Sequence, residues 1–352
     1  MKSSIVLLLL LFTGFLKLSA QNDLDFYLTK AQKAIDEEDY ADGIKNINKA
    51  LEFKGTLSSS YRVANLYLTR GLCKYNLKKY SDAENDMNEA LRISPEFLKA
   101  FEGKNKIYME TRQFDKIISN SNKALALSPN NSDFLLRISQ AYLENHDYPK
   151  ALLFTDSILH NSDDDLAALR LKSVIYHRQK KYEEAIQTET YILGLKPNDA
   201  EALLGRSINY ASLKQYDKAV ADNDFAAKVD TSLRYVAYNN TAYFVKLDMK
   251  DYKGAIELFE KSIKLKPDFA YAYSNNAFCK LQLGDIAGAN KDIQKSLELD
   301  PNNSYAYKNY ALIKLKQNKT SDACDYLKKA NDKGYSIQYD NEVNELLKAN
   351  CK

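Results

Sequence analysis

The chain has 352 residues, with 50 Lys and Arg against 47 Asp and Glu, a formal charge of +3 and a mean hydropathy of −0.49. That balance gives no electrostatic case for nucleic acid or an anionic membrane surface. Trp is absent and Gly and Pro are scarce, while Ala, Leu and Lys abound, so helix is favoured throughout.

The first element is the stretch 1–20, MKSSIVLLLLLFTGFLKLSA. One Lys precedes an apolar run from Ile5 to Phe12, and a small residue precedes Gln21. This predicts a signal peptide cleaved after Ala20, the run being short for a bilayer span. The competing reading is an uncleaved anchor. No Cys follows the small residues, so a lipoprotein attachment point is lacking. Removal of Lys2 and Lys17 with the leader leaves a charge of +1.

From Asp25 onward the chain repeats. Tyr40, Tyr80, Phe114, Tyr148, Tyr182, Tyr216 and Tyr252 open successive second helices, and Ile286 and Thr320 take the same place later. The spacings are 40, 34, 34, 34, 34, 36, 34 and 34. Three residues on stand Gly43, Ala83, Ile117, Ala151, Ala185, Ala219, Ala255, Ala289 and Ala323. A small side chain there lets the two helices of a hairpin approach closely. Pro95, Pro129, Pro197, Pro267 and Pro301 each end a second helix, which proline cannot continue. Pro149 falls instead in a first helical turn, where it is tolerated. A period of 34 with two amphipathic helices per unit predicts a helical solenoid.

Two irregularities interrupt the period. Six residues are added within FKGTLSSSYRVAN, as a longer first helix or a longer turn, and two near DTSLRYVAYNN. Either marks a bend or tolerated variation in loop length. After Gly334, YSIQYDNEVNELLKANCK offers one more amphipathic helix, which covers the last apolar face.

These residues resemble the tetratricopeptide repeat family, over nine units from about Leu24 to Asn331. Gly71, Ser139, Ser173, Ser207, Ala277 and Ala311 match the family's small residue in each first helix, and Tyr108, Tyr142, Tyr176 and Tyr210 its aromatic three positions on. The third unit departs, with Asn105 and Ile117 in place of small residues, and looser or shifted packing is expected there. The resemblance implies an all-α, right-handed superhelical solenoid of about nine repeats over residues 21–333, with a C-terminal capping helix over 334–352. It also implies a concave groove lined or rimmed by Lys106, Arg137, Gln140, Arg170, Tyr271, Asn275, Tyr305, Lys308 and Asn309, with His177 facing it. The family's best-known peptide readers hold a C-terminal carboxylate with a Lys and Asn set. Asn239, Asn275 and Asn309 are present here without the accompanying Lys pattern. The start QNDLDF resembles exported proteins of Bacteroidota-type bacteria.

Catalytic chemistry has little to stand on. His146, His160 and His177 lack metal-ligand spacing, and no phosphate loop or nucleophile elbow is present. Asp163, Asp164 and Asp165 precede a helix, where carboxylates cap and complement the dipole. No cofactor or metal is expected. Most of the 26 Tyr residues sit at positions that pack between helices.

Four Cys residues allow three full pairings. Cys73 and Cys279 fall six repeats apart and are expected to stay free. Cys324 lies early in the last second helix and Cys351 at the end of the antiparallel terminal helix, which brings them within range of a disulfide. The competing reading leaves Cys351 on a mobile tail. The expected function is an exported, periplasmic or secreted, non-catalytic adaptor for protein or peptide partners. The alternatives are an assembly factor of an envelope or secretion complex and a glycan or nutrient binder.

Overall fold

The protein is described from a computed structural model covering residues 21–57, 59–335 and 341–351. The leader and its cleavage site lie outside the described residues. The chain divides into two compact units, Met1–Leu171 and Lys172–Lys352, with the division inside one helix. Among the described residues there are helices and turns and no strand.

The first unit is built of hairpins: α1 (21–36) with α2 (Tyr40–Glu52), α3 (Ser60–Asn76) with α4 (Tyr80–Ile93), α5 (Leu98–Glu110) with α6 (Phe114–Leu127), and α7 (Ser132–Glu144) with α8 (Tyr148–Asn161). Helix α9 (Leu166–Arg178) carries the division. The second unit continues with α10 (Tyr182–Leu195), α11 (Ala200–Ser212), α12 (Tyr216–Val229), α13 (Arg234–Asn240, prolonged by π-helical Thr241–Lys246) and α14 (Tyr252–Leu265). It ends with α15 (Ala270–Gln282), α16 (Ile286–Leu299), α17 (Ser304–Lys316), α18 (Thr320–Asp332) and α19 (Glu342–Asn350). No helix among the described residues is long and apolar enough to cross a membrane.

Local chemistry sets these boundaries. Asp39, Asn131, Asp147, Asp199, Asp251, Asp285 and Asn303 accept hydrogen bonds from the first-turn N–H groups of the helices they precede. Asp165 does the same for Ala168 N at 2.9 Å, so that residue of the acidic triplet is a cap. Within each hairpin the first helix ends on a left-handed residue. Gly284 is the one glycine among these; Glu38, Lys78, Arg112, His146, Lys180, Lys214, Lys250 and Asn318 hold φ between 54° and 60°.

The hairpins close on their small column. Ala83, Ala151, Ala185, Ala219, Ala255, Ala289 and Ala323 are wholly buried. A second pair of positions, one on each helix, then decides what each hairpin holds inside. Gly71 faces Met87, and Ala277 with Ile293 and Ala311 with Leu327 share apolar cores. In the four hairpins that follow α3–α4, from α5–α6 to α11–α12, the same pair is polar. Asn105 Nδ2 donates to Ser121 Oγ at 2.7 Å, the Ser139 and Thr155 hydroxyls meet at 2.7 Å, Ser173 Oγ donates to Glu189 at 2.7 Å and Ser207 Oγ to Asn223 at 2.7 Å. The third hairpin is therefore filled: Asn105 and Ile117 are 1% and 0% exposed, and Asn120 Nδ2 also donates to Asn105 Oδ1.

The two irregularities resolve differently. The six-residue addition lengthens α3 to 17 residues and adds a 3-10 turn at Lys54–Thr56. The two-residue addition falls slightly later than expected, inside the first helix of its hairpin. Arg234 at the start of α13 is still in step with Ala200 at the start of α11, but left-handed Lys250 comes two positions late relative to Lys214. The extra length is taken up by the wider turns of the π segment, where Leu247 N donates to Ala242 O. Neighbouring first helices, such as α3 and α5 or α15 and α17, approach each other, so they form the tighter side of each stack.

Candidate functional site

The π segment shapes a chamber on the first-helix side of the second unit. It places Tyr243 and Phe244 beside Asn239 and Asn240 of the same helix. Ile208 of α11, Phe269 before α15, Tyr271 and Asn275 of α15, and Tyr305 of α17 complete a cavity of about 280 Å³. Its rings contact one another edge-on: Tyr243 and Phe244 centres lie 4.9 Å apart, and Tyr243 and Tyr305 6.1 Å apart. A second cavity of about 400 Å³ shares Tyr243, Phe244 and Tyr305 and adds Ser212, Lys214, Leu247 and Asp248. There Asp248 accepts from Tyr216 and lies 3.9 Å from Lys214. Burial raises the pKa of Tyr271, and raises that of Tyr305 well above its ordinary value, so both phenols are neutral.

The residues expected at the groove are sorted by the structure. Tyr271, Asn275 and Tyr305 come together in the chamber. Lys106 and Arg137 line a separate small cleft in the first unit with Glu102 and Asp133, and Arg137 donates to Gln140 Oε1 at 2.9 Å. Arg170 lies half-buried on α9. His177 is also half-buried; its Nδ1 is 2.8 Å from Asn209 Oδ1, and Asn209 Nδ2 donates to Glu189 at 3.1 Å.

Lys308 and Asn309 do not reach an open surface. Lys308 is covered because the C-terminal segment packs over α17, and Asn309 because it packs onto α15. Lys308 is 3% exposed, its Nζ 3.3 Å from Glu342 and 4.5 Å from the Tyr305 ring centre. Asn309 is 1% exposed and donates to Ser274 O. Tyr335 stacks on Tyr305 with centres 6.2 Å apart and donates to Glu342 at 3.0 Å. Cys324 and Cys351 are joined as a disulfide with Cα atoms 5.7 Å apart, tying α19 to the start of α18. Cys73 and Cys279 are buried free thiols, both pushed up in pKa by burial, Cys279 to about 12. Sequence reasoning missed Tyr243, Phe244 and Phe269. The two-residue shift moved the first two out of register, and only helix geometry shows where it is absorbed.

No group of three or more metal-ligating side chains that could hold an ion occurs among the described residues. The buried acid Glu189, with a pKa raised to about 7 by burial, sits between helices and accepts from Ser173 and Asn209. Those bonds fix it inside the hairpin, and its arrangement is that of a structural acid.

Three family profiles, each described as tetratricopeptide repeat, match this chain: residues 108–175, residues 293–325, and residues 64–97 with 237–269. Over 96 residues, 27% of its length, the chain is 31% identical to the heat shock protein STI1 of Saccharomyces cerevisiae. It spans only 15% of that curated relative. A crystal structure of a tetratricopeptide repeat protein from Parabacteroides merdae superposes with a TM-score of 0.54 at 21% identity, covering 83% of this chain and 99% of the other. That likeness bears on the fold alone. With its regular period, paired helices and matching profiles, the chain is a tetratricopeptide repeat protein.

Proposed function

We propose that this chain, a repeat protein of a family that generally serves as a scaffold for protein interaction, is a non-catalytic peptide-binding adaptor of the cell envelope, holding extended segments against its first-helix faces. The observation that carries this is the aromatic chamber of the second unit, a concave site of rings and amides. Aromatic and Arg side chains supply most of the energy at such surfaces. In the first unit the same role falls to Lys106, Arg137, Gln140 and Arg170. The envelope location rests on the leader's pattern.

A pull-down from periplasm tests the reading. Capture of many extended peptides supports it. One stoichiometric envelope complex supports the assembly-factor alternative, and retained glycan supports the third. Replacing both Arg137 and Arg170 with Ala is expected to weaken partner capture by about 2 kcal/mol or more with helix content unchanged. Intact mass of protein from the native envelope is expected to begin at Gln21. A mass retaining residues 1–20 ends the export claim.

A further inference from the structure

Three amides in the α13 chamber are nearly buried and incompletely bonded. Asn239, Asn240 and Asn275 are 9%, 7% and 5% exposed. Asn275 Nδ2 donates to Asn239 Oδ1 at 3.3 Å. Among the described residues this leaves the Asn239 NH₂, the Asn275 carbonyl oxygen and the whole Asn240 amide without a protein partner, all lining the cavity. Buried amides are costly unless something bonds them. A ligand that fills this chamber must therefore carry both a donor and an acceptor.

The walls narrow its chemistry further. Rings of Tyr243, Phe244, Phe269, Tyr271 and Tyr305 surround the amides, and no charged residue among those described lines this cavity. A chain terminus, with its carboxylate or ammonium, would lie there without a countercharge. Lys308, 4.5 Å from the Tyr305 ring, is held by Glu342 at 3.3 Å, so that pair offers no free charge, and a Lys or Arg side chain would likewise lack a countercharge. Rings prefer another ring edge-to-face or offset, and about 280 Å³ accommodates one. A polypeptide main chain supplies an N–H and a C=O on either side of such a ring.

We infer that the α13 chamber receives one uncharged aromatic side chain from the interior of a partner polypeptide, its flanking peptide groups bonded by Asn239, Asn240 and Asn275. This rests on the peptide-binding reading above and names the anchor that reading requires. Selection at this site is for sequence within a segment, and the segment's end plays no part.

An array of random twelve-residue peptides, acetylated and amidated at their ends, tests it on the mature chain. The tightest binders are expected to carry an internal Phe, Tyr or Trp. Because the protein has no Trp, fluorescence of a Trp-bearing binder reports its burial without background. Asn240→Ala and Phe244→Leu are each expected to weaken such a peptide at least tenfold, as is Ala in place of its aromatic residue. Circular dichroism checks that the variants keep their helix. If peptides bind but both variants stay within twofold of the parent, the chamber's role is overturned and the adaptor reading survives. If no peptide binds, or a neutral oligosaccharide such as maltoheptaose binds instead, both are overturned.

Discussion

Hairpins α9–α10 and α17–α18 share turn and register, yet their interiors are opposite. In the first, Ser173 and Glu189 face each other through a hydrogen bond and Asn209 completes the contact from α11. In the second, Ala311 and Leu327 are both wholly buried and apolar. The shared repeat geometry does not decide the filling. One pair of facing positions changes the nature of cohesion from directional bonds to buried volume. Directional bonds are modest in net energy and fail badly when one partner is lost. Buried apolar groups contribute by area and are felt down to one methylene.

The contrast can be broken most severely at an apolar hairpin. Phe259 is wholly buried against Ala242, Ala255 and Cys279. Phe259→Ala is expected to cost about 3–5 kcal/mol by transfer loss plus cavity. Hydrogen exchange should show the loss centred on α13–α14 and their neighbours, since repeats are stabilised by adjacent units. A loss spread evenly over the chain would contradict local cohesion.

A polar hairpin should respond to pH as no apolar one does. Burial raises the Glu189 carboxyl from 4.5 to about 7, against hydrogen bonds from Ser173 and Asn209 and the field of Arg206. Arg206 is already committed to Asp222, with contacts of 2.8 Å, and His177 approaches from Asn209. The folded state thus keeps a proton that the unfolded state releases. Its contribution is full below about pH 4.5, falls as pH rises and is spent above about pH 7, a change of about 3 kcal/mol. Urea melts across that range check the slope. Glu189→Gln should flatten it, and an unchanged slope assigns the proton elsewhere.

Reduction of the Cys324–Cys351 bond sharpens the comparison at the apolar end. It closes a loop of 27 residues, worth about 3 kcal/mol in the chain-entropy picture. Reduced protein is expected to exchange amides faster in α18 and α19 while α9 and α10 are unaffected. Recovery of Cys351 as an alkylated thiol from non-reduced native protein would remove the bond from the native state.

The smallest effect belongs to the turns, which both hairpin types share. Lys78→Gly relieves a φ of 59° and is expected to add about 0.5–1 kcal/mol, offset in part by glycine's greater unfolded entropy. Lys180→Gly, in a polar hairpin with φ of 60°, should give the same gain. Unequal gains in thermal melts would show that the interior reaches the turn.

Much of this architecture was legible in the sequence because it rests on period. The small column and the proline stops follow from spacing alone, and the terminal helix from the amphipathic pattern that continues after the repeat ends. Its limits are equally physical. Ser139, Ser173 and Ser207 read as small residues, and their size is compatible with that. Only coordinates show each hydroxyl bonded across the hairpin. Lys308 read as a groove cation because its covering comes from a segment beyond the whole of the next helix, α18. Tyr243 and Phe244 escaped because a shifted period is silent about which turn of helix absorbs it.

That absorption has an evolutionary consequence. After α13 the spacing of 34 resumes, with Gly284 and Asn318 in step behind Lys250. Two extra positions were accommodated without disturbing the register of any later repeat. In a globular core such a length change would propagate through every packed neighbour. Here it is confined to one helix and the surface beside it. A linear array can therefore acquire a new chamber by a single short insertion, and lose it by deletion, while the register of every other repeat is kept.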